Sequence, residues 1–373
     1  MKHRSIYIFI ILLFISAIQL NAQVTVSGSN GGVNVNKVHT TLKAAFDSLN
    51  TQTTQAGYTI NITITANTTE TASAVLNQPS VSTWTSLTIK PTGTRTISGT
   101  VAGAALINLN GADRVTINGL NTGGNSLTIS NLSTAATAGT STIRFIADAC
   151  SNKITNCTLL GATTATTAAL AGTILFSTGT TIGNDNDTIS NNNIGDTVGT
   201  PSMAITSSGT STAVDNDSIV ISANNIYNWY STTGANAINI IANSSAWTIK
   251  DNKFYQTASR TGLLTANYLK CINIVTASGN GYNISFNTLG YTSSTATGMF
   301  TNSGGCFTGI DITVAASPLS NIQGNTINNV NWTTASAVNT PGGAAFNGII
   351  VKAGGVNVGN TTANTIGASN GIG

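Results

Sequence analysis

The stretch TISNNNIGD, residues 188–196, contains a hydrophobe, two free positions, an asparagine, one free position and a second hydrophobe. Close copies recur along the chain: VTINGLN (115–121), ITNCTLLG (154–161), ISANNIYN (221–228), IKDNKFYQ (249–256), ISFNTLGY (284–291), IQGNTINN (322–329) and TTANTIGA (361–368). The asparagine position falls at Asn118, Cys157, Asn192, Asn224, Asn252, Asn287, Asn325 and Asn364, at intervals of 28 to 39 residues. A second apolar pair precedes most copies, as in TIRF at Ile143, TILF at Ile174, MAIT at Ile205, INII at Ile238, INIV at Ile272, IDIT at Ile310 and GIIV at Ile350.

Each repeat therefore holds at least two short alternating strands and polar turns, with no helical spacing. One unit of this size cannot bury its own apolar face, whereas stacked units can. Parallel strands about 4.8 Å apart give every isoleucine a like neighbour above and below. An asparagine at each turn can bond the asparagine of the next coil and satisfy backbone groups that the turn leaves unpaired. The pattern predicts an all-β chain, a right-handed parallel β-helix with an asparagine ladder, in which Cys157 replaces one rung. Residues 58–373 are expected to form the coils and to continue beyond the chain end. Residues 23–57 form an N-terminal cap: in helix 41–50, Leu42, Ala45, Phe46 and Leu49 share one face.

Composition narrows the function. Only 7% of the 373 residues are charged, against about 25% in an ordinary domain. Threonine, serine, asparagine and glycine take their place, leaving no basic stripe for nucleic acid. Residues 1–22 read as a signal peptide: Lys2, His3 and Arg4, then the apolar run Ile6–Ile18, then Ala22. The run is shorter than the roughly 20 residues of a membrane span. Its removal takes away Lys2 and Arg4, leaving 12 basic and 11 acidic residues. An exported, secreted or cell-surface protein without an integral membrane segment follows. Cys150, Cys157, Cys271 and Cys306 share no metal-binding spacing; they read as buried thiols, with Cys150–Cys157 and Cys271–Cys306 as the alternative bridges.

Three runs, TLKAAFDSLN (41–50), ITITANTTETASAVLN (62–77) and LTIKPTGTRTISG with LINLNGADRVTINGLN (87–121), resemble the opening of large secreted bacterial surface repeat proteins. These belong to the pectin-lyase-like, right-handed parallel β-helix superfamily. The resemblance spans residues 40–373 and implies export by the type IX route, adhesion modules further along and a C-terminal sorting domain that is not visible in the sequence. The superfamily also contains pectinesterases, polygalacturonases and pectate lyases. Their Gln-Asp-Thr, Asn-Thr-Asp, Gly-His-Gly and Arg-x-Pro-x-x-Arg motifs are missing, and a fold does not carry function by itself.

Two constellations stand out. Asp185 and Asp187, then Asp215 and Asp217, repeat Asp-Asn-Asp one coil apart. Four carboxylates would repel unless spread out, protonated or shared with a cation. They are either solvated turns, a calcium site with hard oxygen ligands, or a catalytic group. Calcium is the only cofactor the sequence suggests. Tyr227, Trp229, Tyr230, Tyr255, Tyr291 and Trp332 follow successive rungs. They either pack beneath long turns or form an exposed row suited to a glycan, with Arg260 and Lys270 as charge for an acidic sugar. The resulting reading is a structural or adhesive surface rod that contacts an extracellular polysaccharide along one face, without catalysis. A polysaccharide lyase or glycoside hydrolase is the alternative. Bare strand edges at the last coil predict self-association.

Overall fold

The computed structural model describes residues 23–28, 37–334 and 344–367; the expected signal peptide lies outside them. The chain is a right-handed parallel β-helix. Three sheets run its length, each coil from Thr59 onward supplying a strand to each, and Asn216–Asp217 with Ser244–Ser245 form a separate two-stranded sheet. Sheet one ends with Val356–Val358, sheet two with Thr365–Ile366, and sheet three includes Phe346–Ala353. Alternation puts one apolar residue per strand over its equivalent in the next coil. In sheet one, Ile62, Ile89, Ile117, Ile154, Ile189, Ile221, Ile249, Ile284 and Ile322 form one column. In sheet three the column is Ile107, Ile143, Ile174, Ile205, Ile238, Ile272, Ile310 and Ile349. The sequence pattern placed Ile350 in this series. The observed register selects Ile349 and pairs Ile350 with Asp311 on the outer side. In GIIV two apolar neighbours compete for one inward position.

The asparagine ladder runs inside the corner between sheets one and two. Asn224 shows its unit: its backbone N–H and its Nδ2 both donate to Asn252 Oδ1 at 3.0 Å, and Nδ2 also donates to Ile189 O at 2.9 Å. The same pattern joins Asn192 to Asn224, Asn252 to Asn287, Asn287 to Asn325 and Asn325 to Asn364. Cys157 is the first rung; its N–H donates to Asn192 Oδ1 at 2.9 Å. Asn118 is not a rung. Ile117 pairs with Ile154, so Asn118 lies level with Thr155. Its Oδ1 instead accepts from Leu120 N at 2.9 Å and Asn156 Nδ2 at 3.0 Å. A Cβ on Gly119 would lie 2.2 Å from Asn156 O, so this coil turns with glycine where later coils carry a side chain.

The N-terminal end is closed by two devices. Helix α1, Leu42–Asn50, buries Leu42, Ala45, Phe46 and Leu49, the predicted face. Thr41 Oγ1 accepts from Ala44 N at 3.0 Å. Glu70, the only glutamate in the sequence, accepts from Leu42 N and Lys43 N at 2.9 Å each. A buried carboxylate at a helix N-terminus satisfies orphan donors and complements the helix dipole. The second device was not read from the sequence. Val24–Ser27 pairs antiparallel with Thr59–Ile64, and Lys37–His39 pairs antiparallel with Val24–Ser27, extending sheet one beyond its first parallel strand.

Candidate functional site

The acidic repeat does not turn its four carboxylates toward one metal-binding point. The coils align Asn184 with Asn216, whose Oδ1 accepts from Asn184 N and Nδ2 at 3.1 and 2.9 Å. Asp185 Oδ1 accepts from Asp217 N at 2.9 Å. The two Asp-Asn-Asp triplets are therefore two residues out of register, and their middle and flanking residues serve different ends. Asp187 points inward and is fully buried; its Oδ1 accepts from Asn152 N at 2.7 Å while Oδ2 has no partner. Asp215 accepts a hydrogen bond from Ser245 Oγ at 2.5 Å. Among the described residues, no group of three or more histidine, cysteine, aspartate or glutamate side chains is arranged to hold a metal ion.

Burial dominates the titration of these groups. It holds Asp187 well above the usual carboxylate range. Burial, then the carboxylates of Asp217, Asp215 and Asp148, lifts Asp185 to about 6 against the bond from Asp217 N. Asp148 behaves oppositely. Burial alone would raise it, but hydrogen bonds from the Thr180 hydroxyl and the N–H groups of Thr180, Thr181 and Gly183 bring it to about 2. It holds the 180–183 loop, a role the sequence did not disclose. All four cysteines are buried thiols; burial lifts Cys150 and Cys157 to about 12.

The aromatic residues separate in the same way. Tyr227 and Tyr255 are level in adjacent strands of sheet two and stack at 5.4 Å. Gly195 underlies Tyr227; a Cβ there would sit 2.3 Å from the ring. The pairing of Phe254 with Leu289 brings Gly290, not Tyr291, level with Tyr255, so the row ends after two rings. Trp229 lies in the core, 1% exposed, with Nε1 donating to Lys270 O at 2.9 Å. Tyr230 donates to Thr261 O at 2.7 Å and lies beneath the Arg260 guanidinium, 5.6 Å from the ring centroid. Trp332 belongs to sheet three and packs on Phe300 and Phe307. A continuous exposed row of six does not form, because consecutive residues at a corner point into different sheets.

A different face gathers polar chemistry. On the outside of sheet three, Asn239, Asn273 and Asp311 are level in successive strands. Asn236 Nδ2 and Asn273 Nδ2 both donate to Asn239 Oδ1 at 2.9 Å, and Asn239 Nδ2 donates to Thr167 O at 2.7 Å. Lys270 Nζ donates to Asn273 Oδ1 at 2.8 Å and to Asp311 Oδ2 at 2.6 Å. Lys352 Nζ reaches the same Oδ2 at 2.7 Å. The Asp311 side chain is 1% exposed, and its Oδ1 has no partner. Lys270 lies 5.4 Å from the Tyr268 centroid. Burial lowers its ammonium below the ordinary lysine value, against the opposing pull of Asp311. A cavity of about 300 Å³ opens beside this network, lined among others by Thr233, Asn236, Asn239, Asn267, Tyr268 and Lys270.

Of these residues only Lys270 stands out in the sequence. The signal was present nonetheless. Asn239, Asn273 and Asp311 each sit between two core isoleucines, in AINI, CINI and GIDI. A polar residue held outward at a fixed place in successive coils marks a row on the surface.

No family model and no curated protein matches the sequence. Among solved structures, the chain is similar to a GH136 lacto-N-biosidase from Eubacterium ramulus, at 10% identity and a TM-score of 0.38 over 86% of this chain. It spans 65% of that protein's length. It is also similar to the Streptococcus pneumoniae surface protein and adhesin PfbA, at 12% identity and a TM-score of 0.36, covering 87% of this chain and 94% of that one.

Proposed function

We propose that the chain is a secreted bacterial surface rod that binds an extracellular glycan in the groove over sheet three. The observation carrying this reading is the amide row Asn236–Asn239–Asn273 ending at Lys270, hydrogen-bonded at 2.8–2.9 Å beside an open cavity. Fixed amides and one cation beside a tyrosine ring suit sugar hydroxyls and C–H faces. The signal-type N-terminus and the resemblance to exported surface repeat proteins favour a place outside the cell.

A glycan array on the mature chain, followed by calorimetry, tests the groove. Asn273→Ala and Lys270→Ala should each weaken the captured glycan about tenfold or more, the loss of one or two good polar contacts. Binding unchanged in both variants would remove the groove from consideration.

A second reading, polysaccharide cleavage, is favoured by one observation: the unpartnered, buried Oδ1 of Asp311 beside Lys270. A carboxylate and a lysine with a lowered proton affinity are candidate proton-transfer groups. Release of reducing ends or of ultraviolet-absorbing unsaturated products from a polysaccharide panel, lost in Asp311→Asn, would establish it. A bound glycan recovered intact would dismiss it.

A further inference from the structure

The corner residue before each ladder rung from Cys157 to Asn325 has positive φ: Asn156 57°, Asn191 58°, Ala223 54°, Asp251 58°, Phe286 56° and Gly324 64°. Each donates its N–H to the next coil, as Phe286 N does to Gln323 O at 3.0 Å. Asparagine, aspartate and glycine suit this left-handed conformation; a bulky aromatic residue does not. Phe286 is also 54% exposed, while Phe46, Phe145, Phe176, Phe254, Phe300 and Phe307 are buried. Neither local backbone preference nor core packing accounts for phenylalanine at this position.

Its surroundings do. The next corner residue is Gly324, where a Cβ would lie 2.7 Å from the Phe286 ring, so the ring rests on a bare backbone step. The ring borders a shallow cavity of about 420 Å³ on the outside of sheet one. Its other lining residues are amides and hydroxyls, including Asn283, Ser285, Asn321 and Thr362, and none is charged. Asn283 and Asn321 face each other in neighbouring strands. Gln323 is fixed by N–H bonds from Thr361 and Thr362 to its Oε1 at 3.1 and 3.0 Å.

We infer that Phe286 is the stacking platform of a second carbohydrate site, specific for neutral pyranose sugars and separate from the sheet-three groove. The ring offers a flat apolar face to the sugar's C–H face, and the amides reach its equatorial hydroxyls. No charge lines the cavity itself, which favours a neutral sugar over a uronate or sulfated one; Lys250, level with Ser285 one strand away, lies outside the lining.

Saturation-transfer NMR with cellohexaose, xylohexaose, mannohexaose and chitohexaose tests the site directly. At least one should bind the mature chain, with transfer strongest at ring C–H protons. Phe286→Asn installs the residue found at Asn156 and Asn191. It should keep or raise the melting temperature while weakening that sugar about tenfold, the upper range for an aromatic contact. Phe286→Tyr should retain binding. Absence of binding by all four sugars, equal affinity in Phe286→Asn, or a lower melting temperature for that variant overturns the assignment.

Discussion

The molecule contains two internal amide ladders of different kinds. The long one joins Cys157 to Asn364 through seven coils at the corner after sheet one. The short one, at the corner before sheet one, consists of Asn184 and Asn216 and then gives way to serine, with Asn216 Nδ2 on Ser207 Oγ at 3.0 Å and Ser207 Oγ on Ser244 Oγ at 3.0 Å. Both satisfy backbone N–H groups in a turn that water does not reach. They differ in continuity. A mid-ladder amide of the long stack has an identical neighbour on each side. In the short stack Asn184 accepts from Ala149 N, and Asn216 ends the amide run.

The largest expected effect tests that difference. Asn252→Leu leaves Asn224 N–H without a partner, removes the second donor to Ile221 O and breaks the ladder in both directions. At roughly 1–3 kcal/mol for the orphaned N–H and about 1 kcal/mol for each of the two lost Nδ2 bonds, the loss should be about 3–5 kcal/mol in denaturant unfolding. Asn216→Leu also orphans one N–H, that of Asn184, but it interrupts the amide stack in one direction only, since Ser207 keeps Ser244, and should cost about 2–3 kcal/mol. Asn252→Cys should recover part of the loss, as Cys157 already occupies a rung. Equal costs at the two sites would mean that continuity adds nothing to the single turn.

Beside the short ladder stands a defect that the long one lacks. Asp187 Oδ2 and Asn152 Nδ2 are both buried without partners, although Asn152 N reaches Asp187 Oδ1. Burial raises the Asp187 carboxyl above its unfolded value, so the folded state holds the proton more tightly than the unfolded chain. The stability this provides is complete below the ordinary carboxylate range and declines as pH rises through the folded value. Asp185, lifted to about 6, acts in the same direction. Asp148, held at about 2, acts in the opposite sense and loses its contribution only in strong acid. The melting temperature should therefore peak at mildly acidic pH. Asp187→Asn should gain about 1–3 kcal/mol at neutral pH, the cost of a buried unsatisfied polar group, and little in acid. A gain independent of pH would show that Asp187 carries no extra proton in the folded chain.

The same contrast explains what could be read from the sequence. The long ladder is legible because each rung sits between hydrophobes at recurring spacing, so a periodic contact leaves a periodic string. Asn118 imitates that string, but Gly119 and the register of Ile117 place it elsewhere. The short ladder is hidden inside Asp-Asn-Asp, where the acidic flanks draw attention from the asparagine and suggest a thirty-residue register instead of the true thirty-two-residue one. Helix α1 followed from its apolar face. The antiparallel edge strands did not, since Val24–Ser27 is too short to show its partner. The sheet-three groove joins residues from three coils through side chains on one outer face. Only AINI, CINI and GIDI betray it, and they do so by repetition of position rather than of residue type.

The smallest effect concerns the corners themselves. Each ladder lies beside a column of residues with positive φ. At the long ladder these include Asn191, Ala223 and Asp251; at the short one, Asn186 at 59°, Ser218 at 55° and Ala246 at 56°. Alanine in this conformation carries a strain of about 1–2 kcal/mol, while glycine loses roughly 0.5–1 kcal/mol more backbone entropy on folding. Ala223→Gly and Ala246→Gly should therefore each stabilise the chain by about 0.5 kcal/mol, and Asn191→Gly should change it little, since asparagine tolerates this region. The two alanine sites should respond alike, because the strain is a property of φ and not of the ladder nearby. A gain at Ala246 with a loss at Ala223 would show instead that the Ala223 side chain supports the long ladder beyond its backbone angle, and denaturation midpoints measured in parallel would separate the two cases.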